Sequence, residues 1–191
     1  METNRIIHQT KAWVHQLVIG QNLCPFAAQP YRRDRIGFEV VPVLSLEAHE
    51  ERLLAACRRV YDPGLKVETI LLIYPEEWGT FTDYLAFAER LNQVLDASGW
   101  RGDIQLATFH PDYLFGGEEA RDASHYTNRS PYPMIHVISE SQVEEAVKLH
   151  PDPGGIPGRN VARLRELGAD RLQQFQDDLQ KLDTTDDWPH L

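Results

Sequence analysis

VETILLIY, Val67 to Tyr74, is a nearly unbroken apolar run. A strand with one wet face alternates apolar and polar residues. A run without that alternation reads as a strand covered on both faces, the kind found in sheets packed between helices. This stretch therefore predicts a central strand and, with it, an α/β fold.

The segments on either side carry helical periodicity. Upstream, Ser45 can cap a helix from Leu46 to about Val60, with Leu46, Leu53, Leu54 and Cys57 on the buried stripe. Asp62-Pro63-Gly64 breaks it. Downstream, Thr80 and Asp83 form a capping box, and Phe81, Tyr84, Leu85, Ala88, Leu91 and Leu95 give the apolar face of a second helix. Further strands are expected at 37–44, 104–109 and 134–138. Pro42 removes a backbone donor and points the first of these to a sheet edge or a strand end.

At the N-terminus, residues 3–19 read as an amphipathic helix with Gly20 as its positive-φ stop. Ser141 and Glu144 open a short helix. After HPDPGGIPGRN comes a last helical stretch, in which Gly168 allows either one kinked helix or two short ones. The order suggests a single-domain α/β sandwich over residues 1–183. It has a small four-stranded sheet with two βαβ units flanked by helices. The alternative is a ferredoxin-like α+β arrangement of the same elements. Residues 184–191 are acidic, have little to bury and are expected to be mobile.

The chain has 191 residues, 42% hydrophobic and 25% charged, which suits a globular fold with a sizeable core. A net charge of -10 opposes nucleic acid and anionic membrane surfaces. No apolar run approaches the ~20 residues that span a bilayer, and METNRIIHQTK lacks a signal-peptide core. A cytoplasmic setting is the expectation. With only Cys24 and Cys57, no disulfide framework is indicated.

Between the last two strands lies a long loop dense in His, Asp, Tyr, Asn, Arg and Pro. Such loops inside a domain are usually functional or disordered, and Tyr113, Tyr126 and Tyr132 argue for order. His110 and Asp112 follow a strand directly, at the edge where α/β sheets usually bind ligands. His110 and His125, with Asp112, are candidate ligands for Zn or Fe, although their spacing matches no known metal pattern. His136 is read as a satisfied core histidine and Cys57 as core packing.

Cys24 precedes a proline after a helix end, where a lowered pKa would make it a nucleophile and a thiolate could ligate haem. Asn128, Arg129, Tyr132 and Arg159 are the candidate substrate-binding set. A guanidinium fork suits carboxylate or phosphate, and Gly154-Gly155 leads into a helix whose free N–H groups attract anions. Arg32 and Arg33 are read as surface residues. Gly116-Gly117 lacks the context of a phosphate loop, and Ser130 that of a hydrolase elbow.

Four segments together carry a resemblance: NLCPFA (22–27), FHPDYLFGG (109–117), HYTNRSPYPMIH (125–136) and IPGRN (156–160). They resemble the bacterial family known as domain of unknown function 1415, over most of the chain except the acidic tail. The resemblance implies a stand-alone bacterial cytoplasmic protein and carries over no activity.

The residues themselves lead to an enzyme acting on a small carboxylate or phosphate. Cys24 or a metal at His110 and His125 would react, Asp112 or a histidine would move protons, and Arg129 and Arg159 would hold the anion. The alternative is a non-catalytic module that binds a metal, haem or a partner. A third reading makes the loop a fixed hydrogen-bond network, with Tyr126, Asn128 and Ser130 closing the domain.

Overall fold

The computed structural model describes residues 2–191. Strands β1 (Ile36–Val40), β2 (Thr69–Ile73), β3 (Ile104–Phe109) and β4 (Met134–Ser139) form one sheet in the order β1-β2-β4-β3. All five residues of β2 are buried, as its unbroken apolar run requires. Each of its Ile and Leu side chains supplies roughly 2 kcal/mol of transfer free energy, before entropic costs.

Helices cover both faces. On one, α3 (Leu46–Tyr61) and α4 (Phe81–Ala97) pack on Ile70, Leu72, Ile135 and Val137. On the other, α1 (Glu2–Trp13), α6 (Ile156–Leu167) and α7 (Ala169–Lys181) pack on Leu71, Ile73 and Met134. The fold is therefore α/β with a mixed sheet, completed by α2 (Ala28–Arg32) and α5 (Glu140–Leu149).

The two expected strand-helix-strand units differ. β1 and β2 are adjacent and parallel across α3. β2 and β3 run the same way across α4, but β4 lies between them, antiparallel to both. Composition explains the insertion. Met134-Ile-His-Val-Ile138 is apolar enough for an inner position, whereas β3 carries the exposed Gln105 and takes the edge. The 24-residue stretch 110–133 gives β4 the length to return.

Local signals were largely met. The Ser45 hydroxyl accepts from Ala48 N–H (3.3 Å), and the Thr80 hydroxyl accepts from Asp83 N–H (3.2 Å). Gly168, at φ 84°, splits the last stretch into α6 and α7. The first helix differs from expectation, because Val14–Ile19 widens into a π-helix. Gly20 is not a positive-φ stop: its φ is -61°. A glycine is needed there because a Cβ would collide with the Gln16 carbonyl. The first strand ends at Val40 rather than residue 44, just ahead of Pro42. The buried stripe of α3 begins at His49, while Leu46 is exposed. The acidic end does bury something: Trp188 donates to His8 Nε2 (3.1 Å) and lies against His15.

Candidate functional site

The long loop proves to be tied down residue by residue. His110 is buried; its Nε2 donates to the Trp78 carbonyl (2.9 Å) and its Nδ1 accepts from Asp112 N–H (3.0 Å). His125 is likewise buried, with Nε2 donating to the Glu119 carbonyl (2.8 Å) and Nδ1 accepting from Phe115 N–H (3.0 Å). In this arrangement every ring nitrogen of the two histidines has a backbone partner, and none is left for a metal. Burial also pushes the His110 pKa down. Among the described residues, no three His, Cys, Asp or Glu side chains gather to hold a metal ion.

The other loop residues are engaged in the same way. Asn128 donates to the Thr108 carbonyl (2.9 Å), and Ser130 to the Tyr132 carbonyl (2.6 Å). Arg129 Nε donates to the Tyr113 carbonyl (3.2 Å), with its guanidinium 4.8 Å over the Tyr126 ring. The Tyr132 hydroxyl donates to Gln9 on α1. These contacts are those of a loop-closing network.

Cys24 lies elsewhere, where the chain passes from the π-helix toward α2. Burial pushes its thiol up, outweighing the backbone N–H groups of Phe26 and Ala27 that favour the thiolate. It is thus a poor nucleophile at neutral pH. Iodoacetamide at pH 7.5 should alkylate Cys24 in the folded protein at least about tenfold more slowly than in the unfolded chain. A faster reaction when folded would reinstate the thiol.

Arg159 also sits apart. It and Gly155 N–H form the anion receptor expected at the start of α6, but the chain's own Asp152 fills it. The Asp152 carboxylate accepts from Arg159 (2.5 Å) and from Gly155 N–H (3.1 Å). The Arg159 contact, aided by that N–H, holds the Asp152 pKa below the usual carboxylate range. His110, His125, Arg129 and Arg159 thus each have hydrogen-bond partners of their own, while Cys24 follows Leu23, whose carbonyl accepts from Asn160 of α6 (2.7 Å).

A different set of residues does converge. A cleft of about 320 Å³ opens where β2 and β3 end and β4 begins. Its walls are Pro75, Glu76, Glu77 and Gly79 after β2, His110, Pro111 and Asp112 after β3, and Pro131, Tyr132 and Pro133 before β4, with Gln180 from α7. Only His110, Asp112 and Tyr132 of the expected residues reach it.

Behind Glu77 stands His49, from the first turn of α3. His49 Nε2 lies 2.9 Å from Glu77 Oε2, with side-chain exposures of 1% and 15%. That is an ion-pair distance without the alignment of a hydrogen bond. His49 Nδ1 and Nε2, Tyr74 OH, Glu77 Oε2 and Trp78 Nε1 are all buried with no hydrogen-bond partner. Buried polar groups are ordinarily paired, so their concentration on one turn marks it out. His49 also lies edge-on to Tyr74, Trp78 and Phe87, at 5.3 to 5.9 Å between ring centroids.

Trp78 has φ 59°, a left-handed conformation rare for a bulky side chain. The His110 bond to its carbonyl holds that conformation in place. Such strain clusters at ligand sites. The sequence reading missed His49, Tyr74, Glu77 and Trp78. Two signals could have found them. His49 is in phase with Leu53, Ala56, Cys57 and Val60 on the buried stripe, and the turn Tyr74-Pro-Glu-Glu-Trp-Gly79 directly follows the central strand.

Fold and site together define an α/β protein with an acid-lined cleft at the carboxyl ends of two of its strands. The chain belongs to the DUF1415 family, described as proteins of unknown function, whose profile matches residues 5–174. No curated protein and no solved structure matches it significantly. No helix among the described residues is long and apolar enough to cross a membrane.

Proposed function

We propose that the protein is an enzyme that binds a small organic molecule in this cleft and moves a proton through Glu77, with His49 as the group behind it. The observation that carries the reading is the Glu77–His49 pair: a carboxylate facing a cleft on one side and a fully buried imidazole on the other. Carboxylate and histidine are the commonest groups for general acid–base work, and a cleft of about 320 Å³ is within the range of small-molecule sites.

Glu76, Glu77 and Asp112 line the cleft without any Lys or Arg. This favours a neutral or cationic substrate. A carboxylate or phosphate has less support, since Arg129 and Arg159 are engaged elsewhere. The net charge of -10 likewise supports a small ligand over nucleic acid or an anionic membrane. Cys24 and Cys57 are free, which suits a cytoplasmic setting.

The test is a thermal-shift screen of small amines, alcohols and amides against wild type and Glu77→Gln. A compound at ~100 times its Kd stabilises by about 2.7 kcal/mol. The reading expects such hits for wild type, lost or cut at least about tenfold in affinity in Glu77→Gln. Hits that bind both proteins equally would refute it.

A further inference from the structure

A second, smaller cavity of about 160 Å³ lies on the α1 face of the sheet, at the β1 edge. Lys11 of α1, Tyr31 of α2, Asp34 in the turn that follows, and Ile36 and Phe38 of β1 line it. A cavity of ~150 Å³ holds a molecule of benzene size. Ile36 and Phe38 are two apart on a strand, so both face α1 and give the cavity one apolar wall.

Lys11 and Asp34 carry opposite charges into the same small space, yet they make no ion pair with each other or with any other described residue. Lys11 shares this with eight other cations of the chain, and what sets it apart is its place in a cavity opposite an equally unpaired carboxylate. The Lys11 ammonium instead sits 5.4 Å from the Phe38 ring centroid. The Tyr31 hydroxyl makes no hydrogen bond within the described chain, and burial together with Asp34 pushes its pKa up, so it stays a donor. Asp34 has φ 53° at the end of α2.

We propose that this cavity is a binding site for a small zwitterion of the α-amino acid class. A carboxylate would accept from Lys11 and the Tyr31 hydroxyl, an ammonium would donate to Asp34, and a short apolar side chain would lie on Ile36 and Phe38. Two unpaired opposite charges lining one cavity are complementary to a molecule that carries both, and either charge alone would leave one of them unanswered. The site is separate from the cleft and does not depend on the role of Glu77.

The test is a ¹H–¹⁵N NMR titration of the full chain with alanine, valine and leucine, alongside N-acetylvaline, which lacks the ammonium, and isobutylamine, which lacks the carboxylate. Saturable shifts at residues 11, 31, 34, 36 and 38 are expected with the amino acids. They should weaken at least about tenfold in Lys11→Met and in Asp34→Asn, as loss of a charge-assisted bond implies. Both variants replace partly or wholly exposed side chains, and unchanged melting temperatures confirm their folds. The proposal is overturned if none of the amino acids shifts these residues, if the acetylated or decarboxylated analogue binds as well, or if the shifts fall only on cleft residues such as Glu76 and Glu77.

Discussion

Trp13→Ala lowers stability by about 4 kcal/mol, within the range of fully buried Trp truncations, measured as the shift in a urea or guanidinium melt. Trp13 is 2% exposed, meets Phe109 edge-on at 5.3 Å between ring centroids, and donates its indole N–H to the Arg129 carbonyl (3.1 Å). It both fills the core and pins the long loop, which buried Gln9 of α1 also holds through Tyr132. Trp13→Phe separates the two roles. It keeps most of the packing but orphans that carbonyl, at a cost of about 1–3 kcal/mol. Amides of the 110–133 loop should then exchange faster with solvent, while those of β2 keep their protection. A loss below about 2 kcal/mol in Trp13→Ala would mean that the loop is held by other contacts.

The second large effect is a loss of stability in acid. The His136 ring sits on β4 beside Thr69, whose hydroxyl accepts from its Nε2 and donates to the Val137 carbonyl (2.7 Å). Burial pushes its pKa from 6.5 down to about 4. In the unfolded chain it titrates near 6.5, so between those values the unfolded state binds the proton and the folded state does not. The stabilisation is complete above about pH 6.5 and is lost as pH falls through 4. From pH 7 to pH 5 the loss from this residue is about 2 kcal/mol. His110, also pushed down by burial, adds in the same direction. His136→Gln removes the titration, so its melts at pH 7 and pH 5 should differ by about 2 kcal/mol less than those of wild type. Equal differences would place the acid sensitivity elsewhere.

Much of the architecture was legible in the chain because its causes are local. The central strand follows from an apolar run, the starts of α3 and α4 from Ser45 and Thr80, and the split between α6 and α7 from Gly168. The insertion of β4 was not legible. Strand pairing across 24 residues depends on which strand is apolar enough for the inside, a comparison that no local pattern makes. The loop histidines drew attention as polar side chains in a polar segment. Their ring nitrogens serve backbone groups instead, three within the loop itself at Asp112, Phe115 and Glu119 and one in the turn after β2 at Trp78. His49 was passed over for the opposite reason. It stands where a leucine would fit the helical stripe, and its partner Glu77 lies 28 residues on.

The turn from Tyr74 to Gly79, with Glu77 backed by His49, is the proposed meeting point of the protein and its small-molecule ligand. The most direct measurement is an amide chemical-shift map of wild-type protein with the first compound that stabilises it and fails to stabilise Glu77→Gln. Shifts concentrated on residues 74–79, His49 and residues 110–112 are the predicted result. A map that leaves that turn unmoved while another surface responds would contradict it.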